Sequence, residues 1–349
     1  RMPFVPLGIS FFTFQQIWYL REVYAGTFSQ APTPAEYLTY SFFFPTVSSG
    51  PILKPGNFFP QLRETSPLPQ DTAAGLYAIG LDLAKKVLLA DNLGVLVNNG
   101  WGSLSELTAL TAWCVILGYT LQLYFDFSGY CDLAAGCARL LGLRLPINFD
   151  SPYRSLSVTE FWKRWHMTLT AFLRENVYFP LGGSRKGSLK TIRNMLVVWA
   201  FTGLWHGASW NFVLWGLIFF VLLVLEKNVY GKFLERTHIL KHAYIIFIIP
   251  LTWMVFAISD MHQLGTYFTR LFPFLSSQET QSNTRDVMLA LHNYWKILIP
   301  CVLFCTPLPL HYYKKYRKSG FCLIILILIF IFSIRAMMTP VSYTHLRAH

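Results

Sequence analysis

The feature that most constrains this chain is residues 195–225, a run of 31 residues without Asp, Glu, Lys or Arg. A single helix of that length would extend about 46 Å, whereas the hydrocarbon core of a bilayer is about 30 Å thick. The run is too long for one upright helix and too short for two. It therefore predicts a strongly tilted helix, or a helix interrupted near residues 203–209. Either arrangement places His206 at membrane depth.

Three further apolar windows, residues 107–125, 244–258 and 321–334, support the same fold class. Of the whole chain, 54% is hydrophobic and 13% is charged, where a soluble domain carries about 25% charged residues. The composition predicts an all-α, polytopic integral membrane protein. Residues 1–60, dense in Phe, Pro and Gly, predict short re-entrant or interfacial helices. Residues 72–97 predict a helix whose charged side chains face protein, water or headgroups.

The net charge of +12 does not indicate nucleic acid, because the basic residues lie between apolar segments rather than on a soluble surface. Residues 139–193 contain ten Lys or Arg and three acidic residues. By the positive-inside rule, this stretch marks a cytoplasmic face. Binding of an anionic headgroup or a phosphorylated donor remains an alternative explanation.

We expect one membrane-embedded domain over residues 1–340. The chain begins inside an apolar passage, so further upstream helices are expected. Residues 341–349 (VSYTHLRAH) look like a translated sequencing adapter and are excluded from the predicted fold. The six cysteines form no paired CxxC motif, and no His, Cys, Asp or Glu spacing predicts a metal site. We interpret the cysteines as small packing residues.

A second candidate region begins at Ser157, where the pattern Ser-x-x-Glu to Glu160 predicts a capping box and a helix reaching about residue 174. The helix is amphipathic, and His166 falls on its apolar face. It is too polar to cross a membrane alone, so we expect it at the cytoplasmic interface or dipping inward. A histidine in such a place is either functional or simply satisfied by a neighbour.

Three features could carry chemistry. His206 could accept a proton from an attacking hydroxyl as a general base, or it could join helices by a hydrogen bond. Asp126 could orient a histidine or bind a donor, or it could be a local structural partner. Residues 181–187 (LGGSRKG) could bind phosphate or form a cytoplasmic turn, but they lack the spacing of a nucleotide-binding P-loop.

Several passages together resemble the membrane-bound O-acyltransferase superfamily and, within it, the alginate O-acetyltransferase membrane subunits. The resemblance extends from residue 3 to about residue 273. Its main motifs are residues 161–169 (FWKRWHMTL), 178–185 (YFPLGGSR) and 203–212 (GLWHGASWNF). The supporting passages are residues 7–15 (LGISFFTFQ), 50–52 (GPI), 122–130 (QLYFDFSGY) and 145–149 (LPINF).

The resemblance implies a ring of tilted transmembrane helices around a central tunnel. It also implies that His206 is the catalytic histidine and general base, and that His166 is a supporting histidine that positions or polarises the acyl donor. The residues that it suggests for the substrate or tunnel lining are Asp126, Asn148, Trp162, Trp205 and Asn211. The residues that it suggests for a donor-side basic loop are Arg164, Arg185 and Lys186.

The implied reaction moves an acetyl group from a cytoplasmic thioester, with acetyl-coenzyme A as the first choice and no bound cofactor. The acceptor is a hydroxyl of an extracytoplasmic polysaccharide, reached directly or through a partner acetyltransferase. The implied location is a bacterial inner membrane, with lipid as a partner and no nucleic acid. Two alternatives remain open: a D-alanyl transferase for teichoic acids that uses a carrier-protein donor, and a proton-coupled transporter or flippase.

The sequence departs from the family pattern in two places. Relatives commonly have Asp-Tyr where this chain has Glu175-Asn176, and they often end a late helix with Phe-Arg-Ala where it has Ile258-Ser259-Asp260. We expect these differences to affect the donor side and a late loop.

Overall fold

A computed structural model describes residues 8–64, 68–275 and 284–338. Across these residues the secondary structure is helical with no strand, which confirms the predicted all-α class. Residues 1–7 and the adapter-like residues 341–349 lie outside the described part. The α-helices are α1 Ile9–Tyr24, α2 Pro34–Ser41, α3 Pro55–Glu64, α4 Pro69–Leu83, α5 Asp91–Gly102, α6 Ala109–Leu140, α7 Val158–Arg164, α8 Met167–Leu173, α9 Ser188–His206, α10 Trp210–Leu225, α11 Gly231–Leu234, α12 His238–Ala257, α13 Met261–Leu271, α14 Thr284–Phe304, α15 Leu308–Tyr316 and α16 Gly320–Met338.

Within the described ranges, three helical stretches are long and apolar enough to cross a membrane: Trp210–Leu234, His238–Ala257 and Gly320–Met338. The windows predicted at residues 244–258 and 321–334 lie essentially within the last two. Helix α16 is almost entirely exposed, because the rest of the described chain buries only 6% of its apolar window. It is therefore suited to contact lipid or another protein.

The window at residues 107–125 forms part of a longer helix than predicted. Helix α6 does not end near Phe125 but continues to Leu140. It can do so because the two acids in its second half are compensated by cations: Asp126 pairs with Lys86, and Asp132 with Lys85 at 2.6 Å. Pairing lowers the cost of charge within an apolar fold.

The 195–225 run is a helix interrupted near residues 203–209, which was one of the two predicted arrangements. Helix α9 ends at His206 and α10 begins at Trp210. The judgement that the run is too short for two helices was wrong, because α9 starts outside the apolar run and α10 leads into a π-helix, Glu226–Tyr230. The two helices form a tight hairpin in which a Cβ added at Gly216 would lie 2.5 Å from the Trp199 carbonyl oxygen. Small residues permit this close backbone approach.

The helix predicted from Ser157 to about residue 174 begins where expected but is broken in the middle. The Ser157 side chain accepts a hydrogen bond from the Glu160 amide, so the N-cap is confirmed. The Glu160 carboxylate accepts from the Leu156 amide instead of completing the capping box. The chain then breaks between α7 and α8 at His166, whose φ of 44° is left-handed. The predicted apolar face is nevertheless buried.

The region predicted as one helix over residues 72–97 consists of α4, a π-helix Ala84–Ala90 and α5. Asp82 and Lys85 in this region are buried, as the protein-facing interpretation requires. The main hydrophobic core joins α5, α6, α7, α10, α12 and α13, and a smaller one joins α1 to α8. These two cores place the α7–α8 break beside the α9–α10 hairpin.

Candidate active site

His206 occupies the last position of α9, at the turn of the hairpin. Its imidazole is partly buried and is surrounded by aromatic rings. The ring centroids of Trp205, Trp215 and Phe256 lie 4.6, 5.1 and 5.0 Å from it, all in edge-to-face arrangements. An imidazole ring nitrogen can accept a proton from a hydroxyl, so a histidine held in this way could act as a general base.

His166 is buried, with 3% of its surface exposed. A left-handed conformation is uncommon for a residue other than glycine and is associated with functional sites. Its Nδ1 lies 3.2 Å from the Asn148 Oδ1. Its other ring nitrogen, Nε2, is buried and has no hydrogen-bond partner among the described residues. An atom in that state is available to a molecule that binds beside it.

Asn148 determines which nitrogen of His166 carries the proton. The Asn148 Oδ1 also accepts hydrogen bonds from the amide and the hydroxyl of Thr168, at 3.1 and 2.9 Å. Because an amide N–H can only donate, this atom is the acceptor and His166 Nδ1 is the donor. Nε2 therefore presents a lone pair. Burial lowers the pKa of His166, which lies outside the spanning helices, and the nearby His206 lowers it further, so the imidazole is neutral.

Trp205 contacts both histidines. Its ring centroid lies 4.6 Å from that of His206 and 6.4 Å from that of His166. The indole is held from the other side by Phe14, stacked at 5.3 Å. The tertiary structure therefore brings together two histidines from separate motifs, as well as the α1 segment that the sequence left without a role.

Asn211 is fully buried just inside α10. Its side chain donates hydrogen bonds to the backbone oxygens of Val255 and Phe256, at 3.3 and 2.9 Å. Since Phe256 contacts the His206 ring, Asn211 fixes one wall of the histidine's cage. Asn211 therefore acts as a positioning residue, which holds Phe256 beside the His206 ring.

The structure gives the other two suggested lining residues more distant places. Trp162 contacts Trp215, which in turn contacts His206, so it is one ring removed from the histidine. Asp126 pairs with Lys86 at 2.5 Å, and both side chains are partly exposed. The next residue, Phe127, is the one that contacts His166, at 4.8 Å between ring centroids.

A cleft of about 980 Å³ reaches α9 within one helical turn of His206, although neither histidine is part of its lining. Its apolar wall includes Trp162 and Trp199, and Thr202 lies one helical turn before His206 on α9. Five cations and three acids also line it, which gives it an excess of positive charge. The cations are Lys163, Arg174, Lys227, Lys232 and Lys241, and the acids are Glu160, Glu226 and Glu235.

The suggested donor-side basic loop does not line this cleft. Arg164 forms ion pairs with Asp150 at 2.8 Å and Glu160 at 2.9 Å. Arg185 and Lys186 are exposed in the segment between α8 and α9. The cations that line the cleft are other residues, which the sequence reasoning missed, and three of the five come after α10: Lys227, Lys232 and Lys241. The sequence did contain a signal for these cations, because residues 227–241 form a second basic segment between the apolar runs 195–225 and 244–258.

Glu226 was also missed. Its buried carboxylate accepts hydrogen bonds from the amides of Val158 and Thr159, at 2.7 and 3.0 Å. These amides belong to the first turn of α7, where backbone N–H groups have no partner inside the helix and a negative charge is favourable. Glu226 thereby fixes the start of α7 against the end of α10, on one side of the cleft.

A model of the family described as "MBOAT, membrane-bound O-acyltransferase family" matches residues 10–261, which is more than half of the chain. The match includes both histidines and the hairpin that positions them. The chain belongs to the membrane-bound O-acyltransferase family. The family resemblance predicted from the motifs is thereby confirmed.

Individual members of this family are also similar to the chain in sequence. The chain is 37% identical over 250 residues to a peptidoglycan O-acetyltransferase of Helicobacter pylori, covering 64% of this chain and 47% of that protein. It is 34% identical over 271 residues to a probable alginate O-acetylase of Pseudomonas fluorescens, with 77% and 54% covered. A teichoic acid D-alanyltransferase of Streptococcus thermophilus is 29% identical over 241 residues, with 63% and 56% covered. The chain spans about half the length of these relatives.

Both departures from the family pattern have structural roles. Glu175 pairs with Lys54 at 2.8 Å, and the Arg21 guanidinium donates to Asn176 at 3.1 Å, so this pair fastens α1 and the start of α3 to the end of α8. Asp260 is the N-cap of α13, where its carboxylate accepts from the amides of His262 and Gln263.

Proposed function

We propose that this protein is an O-acetyltransferase that moves an acetyl group from a thioester donor toward a hydroxyl of an extracytoplasmic polysaccharide. The observation that carries the proposal is the pair of histidines that share Trp205, one in an aromatic cage and one with an unpartnered buried nitrogen. A basic cleft reaches α9 within one helical turn of His206. The names of two relatives, an alginate O-acetylase and a peptidoglycan O-acetyltransferase, support the choice of acetyl and of a glycan acceptor.

In the proposed reaction, an acceptor hydroxyl attacks the carbonyl carbon of the acetyl thioester. His206 accepts the hydroxyl proton as the C–O bond forms, and it gives that proton to the departing sulfur as the C–S bond breaks, so the donor leaves as a free thiol and His206 is neutral again. His166 positions the donor by accepting a hydrogen bond at Nε2. It would polarise the acyl oxygen only if it were protonated, since a lone pair cannot donate.

The cleft supports acetyl-coenzyme A as donor. Its cations suit the phosphates of the nucleotide, and its aromatic wall suits the apolar arm that leads to the thioester. The donor is a substrate, so the proposal needs no bound cofactor. Because basic segments mark the cytoplasmic side, the cleft would open there. The acceptor, or a partner acetyltransferase that passes the group on, would meet the site from the opposite side of a bacterial inner membrane.

A second candidate is D-alanyl transfer to teichoic acid from a carrier protein, which the Streptococcus thermophilus relative favours. Both reactions need a general base and a thioester, so the histidine pair does not separate them. A proton-coupled transporter would use the histidines for proton relay instead of acyl transfer. The donor distinguishes these three proposals.

The first experiment expresses the wild type and His206→Ala in a host without its own envelope O-acetylation and quantifies polysaccharide-bound acetate. We expect acetate in the wild type and a loss of at least about a hundredfold in the variant, as expected for removal of a general base. His262→Ala is the matched control, because His262 is exposed on α13 and should retain full activity. Equal acetate in wild type and His206→Ala would rule out His206 as the base.

The donor is tested in membranes supplied with radiolabelled acetyl-coenzyme A or with a D-alanyl carrier protein. Label transferred from acetyl-coenzyme A alone supports the first proposal. Transfer only from the carrier supports the D-alanyl alternative. Solute movement without transfer from either donor supports a transporter.

A further inference from the structure

A second cleft, whose lining contains neither histidine, lies between α4 and the helices α15 and α16. It has a volume of about 470 Å³ and an almost entirely apolar lining. Tyr77 of α4 and Tyr313 of α15 stack across it, with ring centroids 3.4 Å apart. Phe321 and Ile325 of α16 form another wall. Helix α16 is long and apolar enough to cross a membrane, and if it does so, the groove lies beside the acyl chains of the bilayer.

The chain next to the lining residues Tyr316 and Ser319 is strongly basic. Four exposed cations, Lys314, Lys315, Arg317 and Lys318, lie within five residues, directly before α16. The sequence from residue 287 to residue 338 contains no Asp or Glu that could neutralise them. Asp132, which acts electrostatically on Tyr77, is already paired with Lys85 at 2.6 Å.

Polar groups also line the end of the groove next to these cations. Tyr312 and Tyr316, one helical turn apart on α15, both line it, as does Ser319. Tyrosine side chains are typical of the membrane interface, where an apolar ring meets a polar headgroup. The groove therefore combines an apolar wall with hydroxyl groups whose neighbours in sequence are the four cations.

We propose that this groove binds an anionic glycerophospholipid. The cations beside α16 contact the phosphate headgroup, the tyrosines and Ser319 contact the glycerol region, and one acyl chain lies between α4 and α16. The charge decides the class of lipid, since clusters of four or more Lys and Arg next to a transmembrane helix attract anionic headgroups. The groove contains neither histidine, so a negative result for lipid binding would leave the acyltransferase proposal unaffected, and the reverse also holds.

The test purifies the protein from micelles that contain equal amounts of phosphatidylglycerol and phosphatidylcholine, then counts the retained lipids by mass spectrometry. We expect the wild type to retain phosphatidylglycerol about tenfold over phosphatidylcholine. Lys315→Gln/Arg317→Gln should reduce this preference about fivefold. The control, Lys190→Gln/Lys296→Gln, removes the same charge at exposed positions away from the groove and should preserve the preference. Equal loss in both variants would overturn the proposal.

Two further measurements separate the groove from general surface charge. Cys322→Trp places a large ring where Cys322 lines the groove, so it should abolish retention of phosphatidylglycerol without removing a cation. Unchanged retention in this variant would exclude the groove as the acyl-chain site. In the wild type, raising salt from about 0.1 to about 1 M should also weaken the preference, because the screening length falls to about 3 Å. A salt-independent preference would exclude the headgroup contact even if every variant failed to fold.

Discussion

At the scale of single residues, Asn148 is the least expected part of the site. The sequence offered it only as one of several lining residues, whereas the structure makes it a hub that contacts His166, Thr168 and Cys131. Its amide oxygen cannot be replaced by an apolar group without leaving several buried donors unsatisfied. Each such donor costs about 1–3 kcal/mol.

We therefore predict that Asn148→Ala lowers both stability and activity. The free energy of unfolding should fall by about 2–4 kcal/mol, because the His166 and Thr168 donors lose their acceptor. Activity should fall at least about tenfold, since the orientation of His166 is no longer fixed. Thermal unfolding in detergent and the acetate assay measure the two effects.

Asn228→Ala is the matched control for that experiment. Asn228 is exposed and makes a local hydrogen bond to the Val224 carbonyl oxygen, so its loss should have little effect on activity. If Asn148→Ala kept wild-type activity, His166 would not need its fixed tautomer.

At the scale of elements, the α9–α10 hairpin determines where His206 lies. The two helices can approach closely only because glycines occupy their crossing, with Gly203 close to the Phe212 carbonyl oxygen and Gly216 close to the Trp199 carbonyl oxygen. A carbonyl oxygen is part of the backbone and cannot move aside as a flexible side chain can. The position of the hairpin turn, and of the histidine on it, depends on these contacts.

Gly216→Ala should accordingly destabilise the protein by about 1–3 kcal/mol, the range for overpacking in a well-packed core. The added Cβ would lie 2.5 Å from the Trp199 carbonyl oxygen, so the hairpin must open and shift His206. Activity should decrease together with the melting temperature, and both are measured on purified protein.

Gly265→Ala serves as a control with the opposite expected sign. Gly265 lies inside α13, and a Cβ there would meet no atom within 4 Å. The substitution should therefore stabilise the protein by about 0.5–1 kcal/mol, because alanine loses less backbone freedom in a helix. Similar destabilisation by both substitutions would show that the close backbone contact at Gly216 is not the cause of the effect.

At the scale of the whole molecule, the basic cleft is assembled from segments that are far apart in sequence. Lys163 comes from α7, whereas Lys232 and Lys241 come from α11 and α12. Glu226 connects these two regions by accepting hydrogen bonds from the first turn of α7. The cleft exists only when both regions are folded against each other.

If the cleft binds the donor, Lys232→Gln/Lys241→Gln should raise the KM for acetyl-coenzyme A about tenfold and leave kcat within about twofold. A phosphate contact remote from the reacting atoms contributes equally to substrate and transition-state binding. Initial rates at varied donor concentration measure this. A fall in kcat with an unchanged KM would contradict the donor assignment, and Lys190→Gln, away from the cleft, is the control.

The sequence and the structure agree best where local chemistry is sufficient. Apolar runs predicted helices at 244–258 and 321–334, and the Ser157 pattern predicted a helix start, because hydropathy and capping depend on neighbouring residues. The end of α6 and the break at His166 were not predicted. The first depends on Lys86 and the second on Asn148, and both partners are distant in sequence.

By itself, the sequence determined the membrane class and the family and singled out the two histidines as candidates, because uncharged runs and short motifs are encoded in contiguous residues. Only the tertiary structure decided that Trp205 contacts both histidines, that His166 carries its proton on Nδ1, and which cations line the cleft. These are contacts between residues separated by tens of positions, formed when buried polar groups must find partners. Spacing along the chain does not specify such partners, since packing brings them together.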